Sequence, residues 1–268
     1  MTIPSSLARI LEHKAGEISE QKRQISTSFL LDQIRGIPPA QDVVSRLRNS
    51  PQTDLRSNII AEIKQQSPSR GVIRKNLDAV SLAKTYAAAG AAMISVLTDA
   101  RFFGGSFERL EAVRATVDTP LLCKEFVIDS WQIHRARAAG ADAVLLIVSA
   151  LAEGLLGELF QVILDHGMTP LVEIHDELEL EFALRLGARC IGVNNRNLHT
   201  FVTDLNVSKE LGPQIPKDVV AISESGIHTR TDIQLLETYG FVAFLIGESL
   251  VAAEDPGRHL RHLGGADE

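Results

Sequence analysis

From Asn58 onward, short apolar runs rich in β-branched residues alternate with longer segments in which apolar residues recur every three or four positions. The runs are predicted strands: Asn58 to Ile63, Ala92 to Leu97, Leu121 to Glu125, Ala143 to Val148, Pro170 to Ile174, Cys190 to Asn194, Val219 to Ser223 and Val242 to Ile246. The segments between them are predicted helices: Leu77 to Ala89, Phe107 to Thr116, Ser130 to Ala139, Ala150 to His166, Glu177 to Leu186, Asn206 to Leu211, Thr231 to Thr238 and a last one after Ser249. Capping-box spacings at Asp176/Glu179 and Thr229/Asp232 mark helix starts, and Gly90, Gly140, Gly187 and Gly240 stand where helices should end. Apolar strands that each lead into a helix belong in a parallel sheet covered by helices. Eight such units in about 200 residues predict a closed (β/α)8 TIM barrel, α/β in class, rather than an open sheet. The Gly-x-Gly-x-x-Gly turn of a dinucleotide-binding sheet is also missing.

The first 57 residues follow another pattern. Leu7, Ile10, Leu11, Ile18, Ile25 and Leu30 form a sparse apolar stripe among many charges, which predicts one amphipathic helix from Ser5 to about Leu31. Ile37-Pro38-Pro39 breaks it, and Gln41 to Arg48 reads as a second, short helix ended by Asn49-Ser50-Pro51. Residues 1–57 are therefore expected to be a helical extension packed on a barrel of residues 58–268, a single domain overall.

Composition narrows the class of function. With 268 residues, 45% hydrophobic and 23% charged, the chain can bury a large core. No apolar run approaches the roughly 20 residues of a membrane span, and Met1-Thr-Ile-Pro-Ser-Ser lacks the basic and apolar regions of a secretory signal, so a cytoplasmic location is expected. Cys123 and Cys190 lie inside predicted strands and suggest buried thiols, not a disulfide framework. A net charge of −7 without a Lys/Arg cluster argues against a nucleic-acid partner.

In a barrel of this kind the active site lies at the C-terminal ends of the strands, which here are polar. Side chains alternate along a strand, so Glu62 and Lys64 share a face of the first, Lys124 lies with Leu122 and Phe126 on the third, Glu173 with Leu171 and His175 on the fifth, and Glu224 ends the seventh. The sixth runs into Asn194-Asn195-Arg196. A structural ion pair could explain one such strand end, but ionisable groups on four strands of one parity point to chemistry. A lysine between apolar walls and near another cation is expected to fall from its usual pKa of about 10.4, and a shielded glutamate to rise, which makes Lys124 and Glu173 an acid/base pair. Lys124 or Lys64 as a Schiff-base nucleophile is the rival chemical reading.

The loops after the seventh and eighth strands are the usual phosphate site of the fold. Ser225-Gly226-Ile227 and Gly247-Glu248-Ser249 occupy them, with Ser67 nearby after the first strand, and exposed backbone amides there suit a phosphate-bearing substrate. Phe102, Phe103 and Phe126 are either loop anchors or a wall for an aromatic ring. His259 and His262 sit three apart without a third ligand, His134, His166, His199 and His228 read as surface or loop residues, and Trp131 most simply packs. No metal and no organic cofactor is implied.

Glu62-Ile-Lys64-x-x-Ser67-Pro68-Ser69, Leu122-Cys-Lys124-Glu-Phe126, Val172-Glu173-Ile-His, Gly192-Val-Asn194-Asn195-Arg196-Asn-Leu, Ser223-Glu224-Ser225-Gly226-Ile and Ile246-Gly247-Glu248-Ser249-Leu stand in this order. Together they resemble the indole-3-glycerol phosphate synthase family of tryptophan biosynthesis, across the whole chain including its N-terminal helices. The resemblance implies a cofactor-free carboxy-lyase. In that family 1-(2-carboxyphenylamino)-1-deoxyribulose 5-phosphate condenses through an aryl carbon onto its own carbonyl, then loses carbon dioxide and water. By resemblance Lys124 is the general acid at the carbonyl oxygen and Glu173 the partner in dehydration. Lys64 holds or protonates substrate hydroxyls, and Glu62, Asn194 and Glu224 fix the orientation. Arg196 meets the anthranilate carboxylate, Phe103 and Phe126 the ring, and Ser67, Ser225, Gly226, Gly247, Glu248 and Ser249 the phosphate end. The implied partner is this small phosphosugar–anthranilate, with no nucleic acid or membrane; the oligomeric state stays open, a monomer among the options, as do other tryptophan-pathway enzymes as partners. A sister isomerase or epimerase of a ribulose phosphate, a class I aldolase and a non-catalytic phosphate-binding barrel are the alternatives.

Overall fold

The computed structural model describes residues 5–49, 51, 53–198 and 200–266, so the readings made on Met1 to Pro4, Ser50 and His199 lie outside the described residues. Eight parallel strands close a barrel in chain order: β1 (Asn58–Ile63), β2 (Met93–Leu97), β3 (Leu121–Lys124), β4 (Ala143–Ile147), β5 (Thr169–Ile174), β6 (Cys190–Asn194), β7 (Val220–Glu224) and β8 (Ala243–Ile246), with β8 paired back to β1. The alternation expected of a strand is obeyed. Ile59, Ala61 and Ile63 of β1 face the surrounding helices, as do Val172 and Ile174 of β5, while Ile60, Leu122, Leu171 and Ile222 point inward and are fully buried. Burying each of these inward residues contributes roughly 1.5–3 kcal/mol, so the barrel floor is a packed core and not a channel.

The crossover helices start where the sequence supplies a cap. Asp78, Asp176 and Thr229 each accept from an amide in the first turn, worth about 1 kcal/mol apiece. Thr229 and Asp232 form the full reciprocal box, whereas Glu179 reaches one residue too far back, to the His175 amide (2.8 Å). Gly90, Gly140, Gly187 and Gly240 end helices with φ of 81–94°, a region open to glycine but strained for residues with a Cβ.

The N-terminal extension departs from its expected form. The single helix predicted to Leu31 is two helices, α1 (Ser5–Gln24) and α2 (Thr27–Arg35). Ser26 between them is extended (φ −71°, ψ 150°) and its hydroxyl accepts from Phe29 N at 3.2 Å, so a serine that competes with helical hydrogen bonding ends one helix and caps the next. Ile18 of α1 and Leu30 of α2 pack on Trp131, whose indole N–H donates to Ile25 O at 2.9 Å. The helix α3 (Val43–Arg48) covers the opposite, N-terminal end of the barrel, where Val43 and Leu47 join the interior cluster and Arg46 Nε donates to Ala92 O.

Candidate active site

At the C-terminal end of the barrel, Glu62, Lys124, Glu173 and Glu224 form one layer directly above Ile60, Leu122, Leu171 and Ile222. Lys124 is at its centre. Its Nζ is hydrogen-bonded to Glu224 and lies 3.7 Å from Glu173 Oε2 and 3.9 Å from Glu62 Oε2. Lys64 Nζ meets Glu62 Oε1 at 2.5 Å, and Asn194 Nδ2 donates to Glu173 Oε1 at 3.0 Å. His175 Nε2 stands 3.5 Å from the same oxygen. The six predicted catalytic residues are therefore contiguous.

Room for four long side chains is made by the strands between them. Glu62 is in register with Ser95 and Glu173 with Gly192. A Cβ added to Gly192 would collide with Glu224 Oε1, and one added to Gly247 would collide with Glu62 Oε1. Gly192 has an ordinary place in β6, so space, not backbone conformation, is what it provides.

Charge in this layer is set by competition between burial and neighbours. Burial favours the neutral amine of Lys124, but Glu224, Glu173 and Glu62 outweigh it and hold the pKa above the ordinary lysine value. This corrects the expected direction: the sequence shows Lys64 nearby but not the three carboxylates that converge on Lys124. Burial opposes ionisation of Glu62 too, yet Lys64 and Lys124 keep it below the ordinary carboxylate range. At Glu224 burial prevails over the pull of Lys124, helped by the like charges of Glu173 and Glu62, and its pKa is raised. Two carboxylates of one layer are thus driven apart, the pattern of a site with distinct acid and base roles.

A cavity of about 550 Å³ opens above the layer. Its lining includes Lys64, Ser67, Phe103, Phe126, Arg196, Ser225, Gly226, Gly247, Glu248 and Ser249, so the predicted binding residues converge on the space above the Lys124 layer. Phe103 and Phe126 face one another with centroids 5.9 Å apart and planes tilted by 38°. After β7, Ser225 and Gly226 both have left-handed φ (68° and 77°). Ser225 is held in that uncommon conformation by Asn195, a buried residue whose Nδ2 donates to the carbonyls of Glu224 and Ser225 and to Ser223 Oγ. After β8, Gly247 is the N-cap of a helix over Glu248–Ala252, and Ser249 Oγ is buried there without a hydrogen-bond partner among the described residues. Orphan amides and a donor hydroxyl beside two more amide-rich turns form a pocket suited to an anion.

Glu248 plays a different part from its neighbours. Its carboxylate takes Arg70 Nε at 2.6 Å and faces Arg196 Nη2 at 4.0 Å, while Arg196 Nη1 donates to Ser69 Oγ at 2.9 Å. Loops after β1, β6 and β8 are tied together across the mouth by these contacts. The two cysteines are free and buried, and burial pushes both thiols up to about 12, away from reactive thiolate chemistry. Among the described residues no group of three or more His, Cys, Asp or Glu is arranged to hold a metal, and no helix is long and apolar enough to cross a membrane.

The family model for indole-3-glycerol phosphate synthase matches residues 7–263. The chain belongs to that family. Proteins named indole-3-glycerol phosphate synthase from Roseiflexus sp. (strain RS-1) and Roseiflexus castenholzii (strain DSM 13941 / HLO8) are each 45% identical to it over 267 residues, covering 97% of this chain and 98% of theirs. Solved structures share the barrel at low identity. A 3-hexulose-6-phosphate synthase matches with a TM-score of 0.62 at 18% identity, over 78% of this chain and 99% of that one. KGPDC from Streptococcus mutans matches with a TM-score of 0.60 at 17% identity, over 78% of this chain and 96% of that one. Family membership extends to the N-terminal helix, two of whose residues, Leu7 and Ile10, line the cavity. Their role at the site was not read from the sequence, nor was that of Asn195 or His175; an apolar stripe on a helix gives no sign of which surface it will cover.

Proposed function

We propose that Lys124 is the general acid of an indole-ring closure carried out at this site. The chain carries the activity of its family, a carboxy-lyase step of tryptophan biosynthesis on a small-molecule substrate, and we infer that it works in the cytoplasm. The observation that carries the assignment is the surroundings of Lys124: one direct hydrogen bond to Glu224, two more carboxylates at 3.7 and 3.9 Å, and the cavity above. An amine kept charged by three acids is a proton donor, not a Schiff-base nucleophile, which disfavours the aldolase reading.

The substrate is held at both ends. The amides around Gly226 and Gly247, with the hydroxyls of Ser67 and Ser249, take the phosphate, Phe103 and Phe126 take the aryl ring, and Arg196 takes the carboxylate. Binding the chain bent brings the aryl carbon to the carbonyl, a proximity effect. Lys124 gives a proton to the carbonyl oxygen as the carbon–carbon bond forms. Carbon dioxide then leaves with its bonding electrons returned to the ring. Loss of the new hydroxyl as water follows: Lys64, beside Glu62, gives the leaving hydroxyl its proton while Glu173 takes the proton released from the adjacent carbon. Glu224, bonded to Lys124 and raised in pKa, is placed to restore its proton. Glu248 contributes through its backbone and by holding Arg70 and Arg196 in place.

The test is the appearance of indole fluorescence when purified protein meets the carboxyphenylamino-deoxyribulose phosphate, beside a Lys124→Ala variant. Turnover by the wild type, with a loss of about 10²–10⁴-fold in the variant, is expected for removal of a general acid. A folded wild type that forms no indole product overturns the assignment.

A further inference from the structure

A second lysine sits among carboxylates and is not accounted for by the chemistry above. Lys14, on α1, is 1% exposed. Its Nζ is 2.8 Å from Asp99 Oδ2, 2.9 Å from Glu17 Oε2 and 3.1 Å from Glu125 Oε1. Asp99 and Glu125 are themselves buried, at 0% and 3% exposure. Each has a second bond into the active site's walls. Asp99 Oδ1 accepts from Phe102 N (2.7 Å) and Phe103 N (3.2 Å), capping the short helix Ala100–Phe103. Glu125 Oε1 accepts from Phe126 N at 2.8 Å, and its Oε2 accepts from Thr98 Oγ1 at 3.0 Å. The two carboxylates that fix the backbones of Phe103 and Phe126 are thus joined to each other through one ammonium group.

We propose that Lys14 is a positioning residue for the aryl end of the site: it sets the spacing of Phe103 and Phe126 through Asp99 and Glu125, making α1 part of the binding machinery. The inference rests on the reading of those two phenylalanines as the wall for the substrate's ring. Without the ammonium nothing ties the two buried acids to each other, and the segments they anchor are no longer held at a fixed spacing. The phosphate end is built on the loops after β7 and β8 and shares none of these contacts.

The probes are 2-aminobenzoate for the ring end and inorganic phosphate for the other, titrated calorimetrically into the full chain. In Lys14→Met the affinity for 2-aminobenzoate falls about tenfold while that for phosphate changes less than about twofold, the scale of losing an aromatic contact. KM for the full substrate rises with kcat nearly unchanged, and Lys14→Arg recovers part of the loss. Fluorescence of Trp131, the single tryptophan, reports whether α1 and α2 stay docked. Asp99→Asn is the milder variant should Lys14→Met not fold: it keeps the helix cap through Oδ1 and removes only the charge facing Lys14, and the same selective loss is expected. Unchanged 2-aminobenzoate affinity in a folded variant, or equal loss of both ligands, overturns the proposal. Failure of wild-type protein to bind 2-aminobenzoate overturns the ring-wall reading as well, and is seen before any variant is made.

Discussion

Lys124 and Lys14 are the same residue type among the same number of carboxylates, and both are held above the ordinary lysine pKa by them against the effect of burial. They differ in how their donors are spent. Lys14 has all three acids within 3.1 Å, and its side chain is 2% exposed. Lys124 bonds one acid, keeps two at 3.7 Å or more, and its side chain is 14% exposed toward the cavity. A lysine whose three N–H groups are all engaged can only hold things in place; one with donors to spare can meet a substrate. On the roles proposed for them, geometry and not composition separates scaffold from chemistry.

The sharpest way to break that contrast is to remove each ammonium in turn and follow urea unfolding by Trp131 fluorescence. Lys14→Met should cost about 3–5 kcal/mol, since it strands buried charges in a sealed site. Lys124→Met should cost less, because its carboxylates border an open cavity where water and protons reach them. Equal losses would mean that access to the cavity does not distinguish the clusters.

Gly192→Ala sharpens the comparison from the catalytic side. The added methyl collides with Glu224 Oε1 and stands 2.9 Å from Leu171 Cδ2, so Glu224 must leave its place beside Lys124. Overpacking of this kind costs roughly 1–3 kcal/mol, and a loss of that size in transition-state stabilisation is about 5–150-fold in kcat. Steady-state kinetics at saturating substrate measures it; a wild-type kcat would show that the contact between Glu224 and Lys124 is dispensable.

Much of the cluster around Lys124, proposed as catalytic, was legible from strand parity alone. Glu62, Lys124, Glu173 and Glu224 fall on alternate strands at the same depth, and a period of two is a local property that the chain states plainly. The Lys14 cluster was not legible, because Asp99 and Glu125 lie 85 and 111 positions further along the chain. One signal did exist. Lys14 sits on the apolar stripe between Ile10 and Ile18, at a spacing where a core-facing residue belongs, and a lone charge there marks a buried partner. The break at Ser26 was missed for the opposite reason: the apolar period continues past it, and only the hydroxyl's bond to Phe29 N reveals the new start. The pKa direction at Lys124 could not be read at all until three strands were placed around it.

The smallest expected effect concerns pH and separates the clusters once more. Burial first, with Asp99 adding to it, raises Glu125 to about 7 despite Lys14. A carboxyl whose folded pKa lies above its unfolded value contributes stability that is fully present below about 4.5 and lost as pH rises through about 7. Glu125→Gln does not titrate, so its stability relative to wild type should improve by on the order of 1–2 kcal/mol between pH 5 and pH 8. Melting curves at the two pH values test it; a difference that is flat or falls with pH would place the titrating group elsewhere.

The long separation between Lys14 and its acids also has a meaning in time. A chain made at about 5–20 residues per second exposes α1 roughly 4–17 s before Asp99 emerges, and longer before Glu125. During translation α1 therefore waits without the surface it will cover. A charge in the middle of its apolar stripe interrupts the patch that would otherwise face other nascent chains, and the same residue meets its buried acids once they have been made.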